Sequence, residues 1–221
     1  MNKRLQAIGE MVMPDAVMAD IGTDHAYLPI ELVRSGKTPK AYACDIVPGP
    51  LKMAEKNIAE AGLNDQITTV LSDGLAEVSE DVEVIVLAGM GCYTAIDILE
   101  AYPEKVAGYK QIIIQVNTDV DRFRKWISDH RYTIVREKMV FDRHYYTIME
   151  ISLADHEPYS DEENILGPEL LKEKSPVFME YVAAMHEKQC FIASVINKDD
   201  ERLTEVNRLR ELYEKVMDGS L

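Results

Sequence analysis

The sequence is poor in cysteine and has no closely spaced cysteine pair. Its three cysteines, Cys44, Cys92 and Cys190, lie far apart in 221 residues. Neither a disulfide framework nor a zinc site is therefore expected. Apolar runs are also short: none approaches the roughly 18 residues that a membrane helix needs. The charged start has no secretory signal. These absences predict a cytoplasmic protein with no membrane partner and no metal centre.

Positive charge is scarce as well. The chain has 24 Lys and Arg against 39 Asp and Glu, which gives a net charge of −15 at pH 7. This acidity argues against broad nucleic-acid binding, because phosphates need a cationic surface. Residues 105–144 differ, with nine basic and five acidic side chains. This basic segment is either an RNA-facing surface or a solvated helix face with charged strand ends.

Short apolar strands alternate with helices through the first half of the chain. Because repeated strand–helix units pack as a parallel sheet, the pattern predicts an α/β, Rossmann-like fold. Residues 132–154 then hold two β-rich runs with no room for a helix, which predicts a final antiparallel hairpin. The predicted strands before the hairpin are 16–21, 41–46, 66–74, 83–91 and 111–117, and the predicted helices are 26–35, 48–62, 93–101 and 119–129.

The composition changes after Pro158, where the sequence becomes helical and charged. Apolar residues recur at three- and four-residue steps in 177–196 and again in 201–217, separated by a turn at 197–200. This spacing predicts a helical hairpin with coiled-coil-like packing. We therefore expect a first domain over 1–154 and a helical domain over 155–221. The acidic hairpin suits a partner surface, self-association or a shape-based clamp.

Acidic residues stand at the carboxyl ends of the first three predicted strands. Asp20, Asp45 and Asp73 take these positions, and Gly22 follows the first strand. In an open α/β sheet the ligand crevice lies at this edge. Asp45 is placed to accept hydrogen bonds from ribose hydroxyls, and Asp73 from an adenine amine. A lone Asp at a strand end is more often a turn or cap residue, but the set indicates a nucleoside ligand.

The phosphate-binding pattern GxGxxG is absent from the sequence. No dedicated cradle for a pyrophosphate is therefore expected at a helix N-terminus. S-adenosyl-L-methionine (SAM) fits this site, since it is a phosphate-free nucleoside with a cationic sulfonium. A nicotinamide-dependent oxidoreductase is the less favoured alternative. A SAM-dependent enzyme for another RNA or a small molecule, or a SAM-binding protein without activity, also stays open.

Three segments resemble one known family in particular. DIGTDHAYLP (20–29), DGL (73–75) and AGMG (88–91), together with the terminal helical pair, are similar to the bacterial tRNA adenine-N1-methyltransferases that modify adenosine 22 in the D-arm. The resemblance covers almost the whole chain. It implies a class I SAM-dependent methyltransferase fold with a mostly parallel seven-stranded sheet, SAM as cofactor and tRNA as substrate. Cys92 and Val116 depart from the family pattern.

The resemblance also implies roles for particular residues. Asp20, Gly22 and His25 would flank the methionine end of the cofactor, and Asp45 and Asp73 would bind its ribose and adenine. The remaining residues of the implied cofactor site are Ile46, Gly74, Ala88, Gly89, Met90 and Gly91.

Methylation of N1 of a neutral adenine needs no strong base, because N1 already carries an in-plane lone pair. The ring becomes cationic as the methyl arrives, so a nearby carboxylate favours the reaction. Asp24 is our hypothesis for this catalytic carboxylate, with capping of the helix at Ala26 as the alternative. The predicted substrate-binding residues are Tyr27, Asn117, Arg122, Arg124 and Lys125, of which the last three are expected to contact phosphates.

Overall fold

The computed structural model describes residues 1–221 and contains one seven-stranded sheet. The strand order is β3-β2-β1-β4-β5-β7-β6. Strands β1 to β5 are parallel, and β7 runs antiparallel to both β5 and β6. The predicted parallel sheet with a terminal antiparallel hairpin is confirmed. The strands are β1 (Met18–Ile21), β2 (Ala41–Asp45), β3 (Ile67–Leu71), β4 (Val84–Met90), β5 (Gln111–Val116), β6 (Thr133–Asp142) and β7 (His144–Ser152).

Six helices accompany the strands of the sheet. Proline occupies the first turn of the third and fifth helices, where its missing N–H costs no hydrogen bond. The third helix ends at Gly62, whose φ of +70° is the left-handed conformation of a helix C-cap. These helices are α1 (Lys3–Met11), α2 (Tyr27–Arg34), α3 (Pro48–Ala61), α4 (Cys92–Ala101), α5 (Pro103–Gly108) and α6 (Val120–Asp129).

Two hydrophobic cores lie on opposite faces of the sheet. All six residues of β5 are buried. Ile112 and Ile114 belong to the core that α4, α5 and α6 cover, whereas Ile113 belongs to the core under α1, α2 and α3. Successive side chains of a strand point to opposite faces, so a strand buried on both faces is largely apolar. The two buried polar side chains of β5, Gln111 and Gln115, both donate hydrogen bonds to backbone carbonyls.

The last third of the chain forms four helices. Side chains from all four pack in a third hydrophobic cluster, which also contains Met139 of β6. The predicted helical hairpin is present as the two long helices, and the two short ones were not predicted. The division into domains at 154/155 stays a prediction. The four helices are α7 (Asp161–Leu166), α8 (Pro168–Glu173), α9 (Pro176–Val195) and α10 (Arg202–Asp218).

All three cysteines are free, and Cys44 and Cys92 are buried in the core. No helix in the structure combines the length and apolarity that crossing a bilayer requires.

Candidate active site

The carboxyl ends of β1, β2, β3 and β4 converge on one cavity of about 500 Å³. It contains six of the residues predicted to bind the cofactor. Parallel strands place their carboxyl ends at the same edge of a sheet, which is why Gly22 and Met90, 68 positions apart in the chain, meet here. The cavity is lined by Ile21, Gly22, Asp45, Ile46, Ser72, Asp73, Gly74, Met90, Thr94, Asp97, Ile98, Ala101 and Tyr102.

The charged groups in the cavity wall are all carboxylates. Asp45, Asp73 and Asp97 line it, and no Lys, Arg or His does. Asp45 holds its own turn, since its Oδ1 accepts a hydrogen bond from the backbone N–H of Val47 at 2.7 Å. Such a wall attracts a cationic ligand and repels phosphates. Polar atoms are few beside apolar side chains, as expected for a site that takes a nucleoside.

The backbone at Gly22 is suited to close approach by a ligand. Its φ is +79°, a conformation that side chains with a Cβ rarely adopt. A Cβ at this position would also lie 3.4 Å from the terminal methyl of Met90, at the end of the neighbouring strand β4. A larger residue would therefore narrow the cavity between β1 and β4.

Asp20 lies beneath the rim and does not line the cavity. It is 9% exposed and accepts a hydrogen bond from Oγ1 of Thr23 at 2.8 Å. Burial raises the pKa of the Asp20 carboxyl to about 6, although the Thr23 hydrogen bond and the charge of Arg4 oppose the shift. A buried acid with this pKa is sensitive to any positive charge that binds nearby. Its predicted contact with the methionine end of the cofactor stays a prediction.

The segment after Gly22 projects a polar and aromatic cluster from the same edge. The Oδ2 atom of Asp24 lies 3.1 Å from Nε2 of His25, and the Asp24 side chain is 77% exposed. The His25 ring stacks on the exposed ring of Tyr27, with 5.1 Å between centroids. Helix α2 has no side-chain cap at Ala26, so the capping alternative for Asp24 is wrong. Neither Asp24 nor His25 lines the cavity.

The AGMG segment and the end of β5 are joined by hydrogen bonds. The Nδ2 atom of Asn117 donates to the carbonyl of Gly89 at 2.7 Å, and the Asn117 backbone N–H donates to the carbonyl of Met90 at 2.8 Å. Of the segment 88–91, Met90 alone lines the cavity. Asn117 therefore holds the segment on the side away from the cavity.

Arg4 of α1 supports this segment, and sequence reasoning missed it. Its Nη1 atom donates to Oε1 of the fully buried Gln115, whose Nε2 donates to Oδ1 of Asn117 at 3.1 Å. A Cβ on Gly89 would lie 2.9 Å from Nη1 of Arg4, so the guanidinium fills the space under that glycine. The charge of Arg4 also acts on Asp20.

Helix α4 contributes a second group of residues that sequence reasoning missed. Thr94, Asp97, Ile98 and Ala101 follow one another at three- and four-residue steps and form the face toward the cavity. This spacing was visible in the sequence and is the signal that would have found them.

The three basic residues predicted to contact phosphates have different environments. Arg122 and Lys125 are exposed: the guanidinium of Arg122 lies 5.4 Å from the ring centroid of Tyr93, and Lys125 pairs with Asp129 at 3.0 Å. Arg124 is 2% exposed and its Nε donates to Glu137 at 2.7 Å. The prediction that Arg124 contacts phosphate is therefore wrong, because this side chain is buried in an ion pair that joins α6 to β6.

Comparison with known proteins places the chain in a family. Residues 18–218 match the family model described as TrmK, tRNA (adenine(22)-N(1))-methyltransferase. The tRNA (adenine(22)-N(1))-methyltransferase of Bacillus subtilis is 32% identical over 99% of this chain and 97% of its own length.

Solved structures agree with this match. The Streptococcus pneumoniae protein Sp1610, solved in complex with S-adenosyl-L-methionine, has a TM-score of 0.88 and 34% identity, covering 98% of this chain and 99% of that one. M. capricolum TrmK, solved with S-adenosyl-homocysteine, has a TM-score of 0.84 and 32% identity, covering 99% of this chain and 98% of that one. Matched over nearly its whole length in sequence and in structure, the chain belongs to the TrmK family of tRNA (adenine(22)-N(1))-methyltransferases.

Proposed function

We propose that this protein transfers a methyl group from SAM to N1 of adenosine 22 in tRNA, in the cytoplasm. The observation that carries the proposal is the acidic cavity at the carboxyl edge of the sheet, whose charged wall residues are Asp45, Asp73 and Asp97. A nicotinamide dinucleotide carries a pyrophosphate that these carboxylates would repel, whereas SAM has no phosphate. SAM supplies the electrophilic methyl group when bound.

The cavity residues bind and orient the cofactor in this proposal. Asp45 keeps Oδ2 free for ribose hydroxyls while its Oδ1 holds the turn to Val47. Asp73 is exposed at the end of β3 and accepts from the adenine amine. Gly22 permits close backbone approach, and Met90 closes the wall on the β4 side. Asp20 acts on the methionine end through charge, since it does not line the cavity, and His25 flanks that end from beside Asp24.

Asp24 provides the negative potential that the reaction needs. The adenine ring gains positive charge as N1 forms its new bond, and a preorganised carboxylate near the amine edge stabilises that charge. The Asp24 side chain is exposed and oriented by its contact with Nε2 of His25. Tyr27 offers its exposed ring as a stacking face for the extruded base, since N1 of a paired adenine is inaccessible.

Two further groups act on the RNA in this proposal. Asn117 keeps the AGMG segment in place through the carbonyl of Gly89 and presents its exposed edge to the substrate side. Arg122 and Lys125 on α6 are exposed cations and contact phosphates, which explains how an acidic protein binds RNA through a limited basic surface.

The direct test uses two matched tRNAs and SAM with a labelled methyl group. One tRNA carries adenosine at position 22, and the other differs only in having guanosine there. We expect label in the first tRNA alone and 1-methyladenosine at position 22, identified by mass spectrometry of RNase fragments. Label at another nucleotide, or transfer to small molecules in place of tRNA, would contradict the proposed function.

Self-association through the C-terminal helices is a separate part of the proposal. Phe191 and Val195, near the end of α9, are each 66% exposed, which is unusual for large apolar side chains. Sedimentation equilibrium tests this: we expect the native protein to form dimers and the Phe191→Ser/Val195→Ser variant to be monomeric. A native monomer at high concentration would contradict it.

A further inference from the structure

A second cavity of about 360 Å³ lies between the sheet and the C-terminal helices. Its wall includes the end of β5, the first turn of α6, both strands of the hairpin, and helices α7, α9 and α10. No pattern in the sequence indicates this cavity, because its residues come from positions almost 100 apart. The wall consists of Val116, Asn117, Val120, Asp121, Arg124, Met139, Tyr145, Thr147, Ile165, Leu166, Tyr181, Glu205, Arg208, Leu209 and Tyr213.

This cavity adjoins the cofactor cavity without overlapping it. The two share no wall residue. They meet where the backbone N–H of Asn117 donates to the carbonyl of Met90 at 2.8 Å, since Met90 lines the first cavity and Asn117 the second. A molecule in the second cavity therefore does not occupy the cofactor site, although the two cavities are neighbours.

The wall changes from apolar at the floor to polar at the mouth. Tyr145 and Tyr181 are half-buried in the wall. The buried wall residues are the largely apolar Val116, Met139, Leu166 and Tyr213 and the polar Arg124 and Thr147. The rings of Tyr145 and Tyr181 meet edge to face, with 5.3 Å between centroids. Flat faces with an apolar floor suit a planar aromatic ligand, and stacking on aromatic side chains is the usual way in which proteins hold unpaired bases.

The mouth carries hydrogen-bonding groups of both kinds. Asn117, Asp121, Glu205 and Arg208 are all exposed there. Glu205 holds the guanidinium of Arg208 through two hydrogen bonds of 2.8 and 2.9 Å. A phosphate would meet two carboxylates at this mouth, whereas the edge of a nucleobase presents donors and acceptors that these groups can satisfy.

We propose that this cavity binds one unpaired base of the tRNA that flanks the adenosine to be methylated. The inference rests on the proposed function and adds a recognition site to it. Asp24 follows β1 and Asn117 follows β5, with β4 between them, so the two sites are about 10 Å apart at the usual strand spacing. That separation suits neighbouring nucleotides of a single strand in an extended conformation.

The test fills the cavity without touching the cofactor site. Leu209→Trp places an indole in the cavity from α10, and Leu203→Trp, at a half-buried position on the same helix outside it, is the control. Val120→Trp fills the cavity from α6 and serves if Leu209→Trp does not fold. For the filled variant we expect the KM for tRNA to rise about 5- to 100-fold, the range expected for loss of one stacked base. SAM binding measured by calorimetry is expected to be unchanged.

A second measurement identifies the base directly. In one set of D-arm RNAs, each nucleotide flanking adenosine 22 is replaced in turn by an abasic site. In a further RNA, 2-aminopurine stands at the position where the abasic site raises the KM. We expect one abasic site to raise the KM of the native protein but not that of Leu209→Trp, and the native protein alone to quench 2-aminopurine. Equal KM values for native and filled proteins would overturn the inference. Absence of methyl transfer by the native protein would instead overturn the proposed function.

Discussion

Arg4 donates a hydrogen bond from Nη1 to Oε1 of Gln115 at 2.5 Å, which joins the first helix to strand β5. The Nε2 atom of Gln115 donates to Oδ1 of Asn117, and the Nδ2 atom of Asn117 donates to the carbonyl of Gly89. The amino-terminal helix therefore positions a segment that begins 84 residues later in the chain. Arg4 contacts neither cavity wall, so it acts as a positioning residue.

Replacing Arg4 with Met is expected to lower kcat about tenfold while leaving the dissociation constant of SAM within about threefold. The reason is that Gln115 loses its charged donor and Asn117 loses its fixed orientation, while the cavity wall is unchanged. Steady-state kinetics and calorimetry separate the two effects. Lys3→Met on the same helix is the control, and Arg4→Lys should restore part of kcat. A native kcat in Arg4→Met would contradict the positioning role of Arg4.

Replacing Asp24 with Ala or Asn is expected to reduce methyl transfer at least about 100-fold, the size of effect that loss of one electrostatic stabiliser produces. SAM affinity should stay within a few-fold, because Asp24 does not line the cofactor cavity. Single-turnover kinetics with saturating tRNA and SAM measures the chemical step. Glu31→Gln, an exposed acid on α2, is the control. Full activity in Asp24→Asn would contradict our hypothesis for the catalytic carboxylate.

Asp20→Asn is expected to stabilise the protein above pH 6 and to lose this effect in acid. The folded-state pKa is about 6 against 3.8 for the ordinary carboxyl, so the folded state holds the proton more tightly and its stability falls as pH rises between these values. The buried carboxylate costs about 3 kcal/mol at pH 8. Asn keeps an acceptor for Thr23 without the charge.

Urea unfolding across this pH range tests the Asp20 prediction. The gain in free energy of unfolding should be largest at pH 8, shrink below pH 6 and vanish near pH 3.8. Asp65→Asn, which removes an exposed acid, is the control for the loss of one carboxylate. A gain in Asp20→Asn that does not change with pH would show that burial does not raise this pKa.

Removing the exposed cations Arg122 and Lys125 together is expected to weaken tRNA binding and to lower its salt dependence. Each phosphate contact releases about one counterion, so the slope of log K against log salt should fall by about two. The matched control is Arg34→Ala/Lys52→Ala, two exposed cations on the helices that cover the opposite face of the sheet. Filter binding at several salt concentrations measures both. An unchanged slope would contradict phosphate contact and would favour the alternative, in which Arg122 and Lys125 belong to a solvated helix face.

Arg124→Met is expected to destabilise the fold by about 3–5 kcal/mol, because it leaves the charge of Glu137 buried without a partner. The Glu137 side chain is 0% exposed, and Arg124 also donates to the carbonyl of Ile165 at 3.0 Å. The double variant Arg124→Met/Glu137→Met should recover much of the stability, and Arg122→Met should be neutral. Urea unfolding compares all three. A neutral Arg124→Met would contradict the structural role.

The sequence predicted the elements that depend on local and periodic patterns. Short apolar runs alternating with helical stretches identified β1 to β5, and the absence of room for a helix between residues 132 and 154 identified the terminal hairpin. The short helices α7 and α8 escaped because six residues show too little periodicity to be recognised. The prediction that Asp45 and Asp73 lie close together is confirmed, because each follows a parallel strand and the carboxyl ends of parallel strands lie at the same edge of a sheet.

The sequence by itself therefore determined the succession of strands and long helices along the chain and the edge of the sheet at which Asp45 and Asp73 meet. It also determined the resemblance to the tRNA adenine-N1-methyltransferases. Only the tertiary structure decided which charged side chains are available there. Arg122 and Arg124 are two residues apart and look equivalent in sequence, yet one is exposed and the other is buried against Glu137. The hydrogen bond of Arg4 to Gln115 and the second cavity likewise became visible only in three dimensions. Burial and pairing depend on residues far away in the chain, and local periodicity carries no information about those partners.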